Sequence, residues 1–394
     1  MHNRFQHEVK MQFIDLAEQQ RRIRHKIDDR IGVVLDHGKY IMGPEVTELE
    51  NRLSAFTGVS TAIGCASGTD ALLMALMAYD VGPGDAIFTS PFTFIATGEV
   101  IRLLGATPVF VDINPDTFNI DPLHLEKAVY ALEHNDKSVY PLPFSSGFRL
   151  RPKGIIPVDL FGLPADYDSI ARIASSNELF TIEDAAQSFG SEYNGKKACS
   201  LADIGCTSFF PAKPLGCYGD GGMCFTDNKK LAEKLISIRS HGKGTHKYDN
   251  VCVGINGRLD TIQAAILLTK FSIFPEELQL RQKVAERYNR MLSNISGLTV
   301  PIVPDRHLSA WAQYSVIADS EDQRSKLQAK LKAADIPTAI YYPKPLHLQT
   351  AFADIGQKEG TFPISEDYAR RIFSLPMHPY LTDTDQEKIV AAMD

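Results

Sequence analysis

The sequence lacks any apolar run of the roughly 18 residues that a membrane-spanning helix needs. Its first dozen residues, MHNRFQHEVKMQ, contain neither the apolar stretch nor the small-residue cleavage site of a signal peptide. Basic charge is scarce, because 41 Lys and Arg stand against 48 Asp and Glu, giving a formal net charge of −7. Proteins that bind polyanions are normally basic. We therefore expect no nucleic-acid partner, no membrane association and a cytoplasmic location.

Several motifs of metal and nucleotide chemistry are also missing. The six cysteines form no C-x-x-C pair and no zinc-like spacing, so they are predicted to be small buried side chains. The patterns G-x-x-x-x-G-K-[ST], G-x-G-x-x-G after a strand and H-E-x-x-H do not occur. These absences argue against a P-loop, a dinucleotide-binding turn and a zinc hydrolase site, and we expect no metal.

The chain does contain enough apolar material for a large core. Of its 394 residues, 44% are apolar and 23% are charged, which is typical of a globular protein rather than a disordered one. At ~100–200 residues per domain, two lobes are expected. We predict an N-terminal helical segment (1–40) that packs with the small domain, a large domain (41–285) and a small C-terminal α+β domain (286–394).

Between residues 60 and 230, short β-rich runs alternate with longer helical stretches. Runs that are apolar on both faces and separated by helices predict a buried, mainly parallel sheet of the α/β class. Ligands of such sheets bind beyond the carboxyl ends of the strands. The predicted strands are TAIGC (61–65), AIFT (86–89), TPVFV (107–111), GIIPV (154–158), ELFTIE (178–183), IGCTSFF (204–210) and GGMCFT (221–226).

Three other stretches have recognisable patterns. DALLMALMA (70–78) is apolar all round and predicts a buried helix, whereas residues 12–36 form a charged, amphipathic helical stretch. The polar residues 134–153, which include Pro and Ser, are predicted to be an exposed loop or insertion.

The first candidate site is Gly68-Thr69-Asp70, where the strand 61–65 turns into a helix. Unpaired N–H groups and the dipole at a helix start can hold a phosphate. The alternative is a simple N-cap by Thr69 or Asp70.

Two further candidates follow later strands. Asp184, at the end of the strand 178–183, either caps the next helix or holds a cation or a protonated heterocycle. Lys213 lies in the apolar run SFFPAKPLG, where desolvation lowers the pKa of an amine and so suits a Schiff base. An ordinary lysine whose ammonium group reaches solvent is the alternative.

Together the three candidates match the needs of pyridoxal 5′-phosphate (PLP). This cofactor requires a lysine for its covalent link, an acid for its ring nitrogen and a cup for its phosphate. In this sequence the order is phosphate turn, acid and lysine, each following a different predicted strand.

The motifs around these residues resemble the DegT/DnrJ/EryC1/StrS family of PLP-dependent nucleotide-sugar aminotransferases. The resemblance implies the aspartate-aminotransferase fold (PLP fold type I), with a mainly parallel mixed sheet in a large domain and a smaller α+β domain. The matching segments are ASGTDAL (66–72), PFTFIAT (91–97), EDAAQSFG (183–190), TSFFPAKPLG (207–216), GDGGM (219–223) and GINGRLDTIQAAIL (254–267).

The resemblance also implies roles for individual residues. Lys213 and Asp184 are the expected catalytic residues. Lys213 is expected to form the covalent link to PLP and to be free when the cofactor is in its pyridoxamine form. Asp184 is expected to pair with the ring nitrogen. A homodimer with shared active sites follows, because the resemblance assigns one phosphate contact to the partner subunit. The other expected cofactor contacts are Gly68, Thr69, Phe94, Gln187 and Ser208 from one subunit and Asn256 from the other.

Within the family, FIDLAEQQ, KYIMGPEVTELE and SLPMHPYL resemble members that aminate a UDP-linked 2-acetamido-2-deoxy-3-oxo-glucuronate, with L-glutamate as donor, for surface polysaccharide such as O-antigen. Arg258, Tyr341 and Tyr342 are the expected substrate contacts. Tyr341 stands where a His is expected in that branch, and Arg258 could instead form an ion pair at a dimer interface.

Three other functions stay open. The same chemistry could act on a 4-keto or 3-keto 6-deoxy nucleotide sugar. A sugar dehydratase shares the fold, although such members commonly replace the lysine with His. A non-catalytic regulator could keep the fold without needing Lys213 or Asp184.

Overall fold

A computed structural model describes residues 11–144, 149–246, 248–293 and 295–393. Its first nine strands lie between residues 61 and 226, and seven of them match the runs that the alternating pattern predicted, while the short β6 and β7 were not predicted. They are β1 (Thr61–Cys65), β2 (Asp85–Thr89), β3 (Thr107–Phe110), β4 (Arg151–Ile156), β5 (Phe180–Asp184), β6 (Glu192–Tyr193), β7 (Lys196–Lys197), β8 (Ile204–Ser208) and β9 (Gly222–Thr226).

Helices separate these strands and continue beyond them. In the described ranges they are α1 (Leu16–His37), α2 (Pro44–Thr57), α3 (Gly68–Ala78), α4 (Ala96–Leu103), α5 (Pro122–His134), α6 (Tyr167–Ser176), α7 (Lys229–Arg239), α8 (Thr261–Phe271), α9 (Phe274–Leu292), α10 (Glu321–Ala333), α11 (Pro363–Arg371) and α12 (Asp383–Ala391). No helix of these ranges combines the length and apolar character that crossing a bilayer requires.

Seven strands form the central sheet, in the order β1-β9-β8-β5-β4-β2-β3. The strands β3, β2, β4, β5 and β8 run parallel, while β9 pairs antiparallel with both β8 and β1. The predicted α/β class with a mainly parallel, mixed sheet is confirmed. Because β1, β5 and β8 all point the same way, the residues that follow Cys65, Asp184 and Ser208 meet at one edge of the sheet.

The predicted C-terminal boundary of the 134–153 loop is wrong. Residues 151–153 belong to β4, and Arg151 and Lys153 place their charged groups 2.6 Å and 2.7 Å from the carboxylate of Asp85 on β2. These cross-strand ion pairs stabilise residues 151–153 as part of the sheet, although their polar sequence suggests a loop. Residues 145–148 of the same stretch lie outside the described residues.

The remaining strands are β10 (Leu298–Thr299), β11 (His307–Leu308), β12 (Tyr314–Ala318) and β13 (Ile372–Leu375). The antiparallel sheet β10-β12-β13 buries Tyr314, Phe373 and Leu375 against apolar side chains of α9, α10 and α12. The separate short sheet β11-β6-β7 joins this part of the chain to the strands after β5. The domain divisions at residues 40 and 285 stay a prediction.

Helix α1 is stabilised by a cap at each end and by the packing of apolar residues along one face. Asp15 accepts a hydrogen bond from the Glu18 N–H at its start, and Gly38 ends it with φ of 66°. Ile23 and Ile27 pack on Ile266 of α8. This packing holds the preceding residues 12–14 near the C-terminal lobe, where the Phe13 carbonyl accepts from the Met377 N–H at 3.1 Å.

Candidate active site

A cavity of about 400 Å³ opens at the carboxyl ends of β1, β5 and β8. Its volume lies within the ~300–1,000 Å³ that small-molecule sites usually have. Most of the residues predicted for cofactor or substrate binding contribute to its wall. Those are Gly68, Thr69, Phe94, Asp184, Gln187, Ser208, Lys213, Tyr341 and Tyr342.

The helix α3 begins at one end of this cavity with its N–H groups uncovered. Ser67 is the N-cap, because its hydroxyl accepts from the Asp70 N–H at 3.0 Å and its carbonyl from the Ala71 N–H at 3.0 Å. The alternative of an N-cap by Thr69 or Asp70 is therefore wrong. Among the described residues, the N–H groups of Gly68 and Thr69 have no acceptor, and with the helix dipole they form an anion site.

Ser208 completes this anion site from β8. A Cβ placed on Gly68 would lie 2.6 Å from the Ser208 Cβ, so only glycine lets the two segments approach this closely. The same constraint holds at Gly222 of β9, where an added Cβ would lie 2.3 Å from the Ser67 carbonyl oxygen. The cradle made by Gly68, Thr69 and Ser208 therefore has the donors and the shape to fit a phosphate.

Asp184 lies at the end of β5 with its carboxylate directed into the cavity. The Thr97 hydroxyl donates to its Oδ2 at 2.7 Å, and the Ala186 N–H donates to its Oδ1 at 3.2 Å. Burial raises the pKa of Asp184, while Thr97, the Ala186 N–H and the Lys213 ammonium oppose that rise. A cationic ring nitrogen in the cavity would favour the carboxylate further, so Asp184 fits the acid that PLP requires.

Lys213 lies in the turn after β8, where its backbone N–H donates to the Phe210 carbonyl at 2.9 Å. Its side chain shares the cavity with Asp184. Burial lowers the pKa of Lys213, and the Asp184 carboxylate opposes that shift. A lysine with a lowered pKa supplies the neutral amine that condensation with an aldehyde to a Schiff base requires.

Aromatic and amide side chains form the wall between these groups. Phe94 is 55% exposed and faces the cavity, with its ring centroid 6.5 Å from that of Tyr342. Gln187 is buried, accepts from the Phe161 N–H at 2.8 Å and donates to the Tyr342 hydroxyl at 3.4 Å. A flat ring bound in the cavity would therefore have an aromatic neighbour on one side and a fixed amide nearby.

Asn256 and Arg258 are not among the described residues that line this cavity. Asn256 is exposed, and Arg258 is partly buried with an Nε that meets no acceptor among the described residues. Their segment lies beside the phosphate turn, because the Ala66 N–H donates to the Gly257 carbonyl at 3.0 Å. Both residues are thus on the surface near the site rather than inside it.

Sequence reasoning missed several residues of the wall. Thr97, the donor to Asp184, lies within the PFTFIAT motif, so that motif contained its only sequence signal. Ser67 precedes the glycine that was singled out. Gln313, directly before β12, comes from a distant part of the chain and had no sequence signal, whereas Ile14, before α1, lies within the matching segment FIDLAEQQ.

The profile of the DegT/DnrJ/EryC1/StrS aminotransferase family matches residues 21–394. The chain belongs to this family. It is 49% identical over 382 residues to the UDP-2-acetamido-2-deoxy-3-oxo-D-glucuronate aminotransferase of Pseudomonas aeruginosa, covering 97% of this chain and 99% of that protein. It is also 42% identical to a pleiotropic regulatory protein of Geobacillus stearothermophilus, with 96% of each chain covered.

Among solved structures, this member of the DegT/DnrJ/EryC1/StrS family is similar to NtdA from Bacillus subtilis with bound pyridoxamine phosphate (PMP). The TM-score is 0.84 at 29% identity, with 97% of this chain and 82% of that chain covered. The chain is a PLP-dependent aminotransferase with the aspartate-aminotransferase fold, as the sequence motifs predicted. Gly68, Thr69, Ser208, Asp184 and Lys213 line one cavity whose donors, acid and amine fit the needs of this cofactor.

Proposed function

We propose that this enzyme transfers the amino group of L-glutamate to a UDP-linked 2-acetamido-2-deoxy-3-oxo-glucuronate. The product would enter bacterial surface polysaccharide such as O-antigen, and the enzyme would act as a cytoplasmic homodimer. The observation that carries the proposal is the convergence of Lys213, Asp184 and the α3 N-terminus on one cavity. The choice of substrate is supported by the 49% identity to the P. aeruginosa enzyme over nearly the full length of both chains.

The residues of the cavity divide the work of transamination. When bound, PLP supplies an electron sink for the carbanion that forms at the Cα of the amino donor. The Asp184 carboxylate, fixed by the Thr97 hydroxyl, would pair with the positive charge on the protonated ring nitrogen of the cofactor. Among the described residues that line the cavity, Lys213 supplies the amine, so its Nζ takes the proton from the donor Cα and returns it as an acid.

The shared-site dimer is supported by the surface around Asn256 and Arg258. Ile41 pairs with Asp260 in an isolated bridge, which places its exposed side chain beside this segment. Val253, three residues before Asn256, is 85% exposed. Clustered exposed apolar groups mark protein interfaces. In the proposed dimer, Asn256 reaches the partner's phosphate cradle, and the Arg258 guanidinium pairs with the sugar carboxylate.

Two alternatives have less support. A sugar dehydratase of this fold would replace Lys213, which is present and directed into the cavity. The relative named pleiotropic regulatory protein favours a regulatory role. A purely regulatory chain has no chemical need for Lys213 and Asp184, and the presence of both in one cavity supports the catalytic alternative.

The proposal is tested by incubating the purified PLP-loaded protein with L-glutamate and the UDP-linked 3-oxo-glucuronate. Mass spectrometry is expected to show the 3-amino sugar. A panel of dTDP-linked 3-keto and 4-keto 6-deoxy sugars serves as the substrate control. Equal or faster amination of a 6-deoxy sugar would contradict the proposed substrate while leaving the aminotransferase assignment intact.

A further inference from the structure

We propose that Gln313 is a specificity residue that recognises the 2-acetamido group of the sugar, with its Oε1 accepting a hydrogen bond from the acetamido N–H. This inference rests on the proposed function, because it names the contact that would select a 2-acetamido sugar over one with a hydroxyl at that carbon.

The side chain of Gln313 lies in the cavity, and its Oε1 has no hydrogen-bond partner in the described part of the chain. It lines the same wall as Lys213 and Tyr341. Its Oε1 is buried and meets no hydrogen-bond donor among the described residues. A buried acceptor without a donor is destabilising, so such groups are usually retained where something else satisfies them. A bound ligand is the natural donor inside a substrate cavity.

Backbone hydrogen bonds link Gln313 to the part of the cavity where the cofactor is expected to bind. The N–H groups of Ala312 and Gln313 point at the Phe161 carbonyl, at 3.0 Å and 3.4 Å. The Phe161 N–H in turn donates to the Oε1 of Gln187, a predicted cofactor contact. These hydrogen bonds therefore connect the backbone of Gln313, through Phe161, to the side chain of Gln187.

The two segments in this network have unusual backbone conformations. Phe161 has φ of 59° and Trp311 has φ of 49°, a region that side-chain-bearing residues seldom adopt. Gly162 lies against them so closely that an added Cβ would be 2.8 Å from the Trp311 nitrogen. Strained, over-determined backbone is characteristic of functional sites. Gln313 lies directly beside this segment, and its Oε1 meets no donor among the described residues that would account for its placement at the cavity.

The chemistry of the cavity favours the acetamido group as the donor. The phosphate and the ring nitrogen of the cofactor are already matched by the α3 N-terminus, Ser208 and Asp184. An acetamido N–H supplies the hydrogen that the Gln313 Oε1 lacks. Its methyl group requires an apolar surface, which Ile14 and Phe210 contribute to the same cavity.

The test compares two sugars that do not react. The PLP-loaded enzyme and its Gln313→Leu variant are titrated calorimetrically with UDP-N-acetylglucosamine and with UDP-glucose. One hydrogen bond of ~0.5–1.5 kcal/mol corresponds to a change in Kd of about two- to tenfold. We expect the variant to raise the Kd for UDP-N-acetylglucosamine by that factor and to leave the Kd for UDP-glucose within about twofold. Equal changes for both sugars, or no change for either, would overturn the proposal.

Two further measurements separate recognition from structural support. Gln313→Glu keeps an acceptor oxygen, so it is expected to keep the preference for UDP-N-acetylglucosamine, and its loss there would refute the proposal. The Gln313→Leu protein without sugar is expected to melt at the same temperature as wild type or higher, because an unsatisfied acceptor has been removed. A lower melting temperature would show that the amide supports the fold instead. Since neither sugar contains a ketone, these results stand apart from failure of the proposed reaction.

Discussion

At the scale of single residues, the chemistry depends on how the protein holds one carboxylate. Asp184 is buried, and burial alone would favour its protonated, neutral form. The Thr97 hydroxyl at 2.7 Å counteracts this by donating to the ionised form. Thr97 is therefore a positioning residue that acts through Asp184, and the sequence alone did not single it out.

Replacing Thr97 with Val is expected to weaken cofactor retention by about ten- to a hundredfold, because a hydrogen bond to a charged group contributes ~1.5–3 kcal/mol. The dissociation constant of PLP, followed by its absorbance during dialysis, provides the measurement. Thr89→Val is the matched control, since the Thr89 hydroxyl donates to the Ile156 carbonyl and lies outside the cavity wall. If both variants retain PLP equally well, Thr97 has no special role.

Replacing Lys213 with Ala is expected to lower turnover by roughly a thousandfold and to abolish the visible absorbance of the lysine-bound cofactor, because the anchor and the proton carrier are lost together. The control is Lys196→Ala, an exposed lysine on β7. Borohydride reduction followed by peptide mapping locates the modified residue in the wild type. A label on any lysine other than Lys213 would contradict the assignment.

At the scale of elements, the site depends on strand ends and one helix start. The seven predicted strands of the central sheet are present, because runs that are apolar on both faces have few alternatives to a buried sheet. Sequence pattern was less reliable at the ends of elements. It assigned residues 151–153 to a loop, since the pairing of Arg151 and Lys153 with Asp85 joins residues more than sixty positions apart.

The start of α3 yields a prediction about the phosphate cradle. Gly68→Ala is expected to displace Ser208, whose Cβ would lie only 2.6 Å from the new methyl group, and to raise the Kd for PLP on the order of tenfold. Gly82→Ala is the control, because nothing lies within 4 Å of its added Cβ. The measurement is a PLP titration followed by protein fluorescence. Unchanged PLP affinity in Gly68→Ala would show that the cradle does not bind the phosphate.

At the scale of the whole molecule, a buried acid pair lies behind the site. Asp159 and Glu183 are both fully buried. Burial raises the pKa of Asp159 to about 7, and burial together with the neighbouring Asp159 raises the pKa of Glu183. Asp159 is held by the Tyr167 and Ser188 hydroxyls, which donate at 2.9 Å and 2.8 Å. The pair therefore retains a proton that unfolded carboxyls lose near pH 4.

Stability is accordingly expected to fall as the pH rises from about 5 to 7. In that range the folded protein binds more protons than the unfolded chain, so the free energy of unfolding decreases by up to ~1.4 kcal/mol per pH unit for one proton. Asp159→Asn, which mimics the protonated form, should flatten this slope. Urea unfolding at several pH values measures this slope, with Asp168→Asn as a control at an exposed position. A slope that is equally steep in the Asp159→Asn variant would contradict the assignment.

The proposed dimer makes a separate prediction. Lys213→Ala and Asn256→Asp homodimers should each be nearly inactive, because one lacks the amine and the other adds a charge beside the phosphate. When the two are unfolded together and refolded, the mixed dimers should recover one intact site each, since the unaltered Lys213 and Asn256 meet across the interface. No recovery of activity in the mixture, despite mixed dimers detected by native mass spectrometry, would show that Asn256 acts within its own subunit.

The sequence by itself determined the sheet, the cofactor class and the pair Lys213 and Asp184. Those features are local, since strand periodicity and short motifs report them directly. Only the tertiary structure decided which residues share the cavity. It placed Gln313 and Ile14 in the wall, left Asn256 and Arg258 outside the cavity, and joined Arg151 and Lys153 to Asp85. The reason is physical: these contacts form between segments far apart in the chain, and their geometry comes from packing rather than from any local pattern.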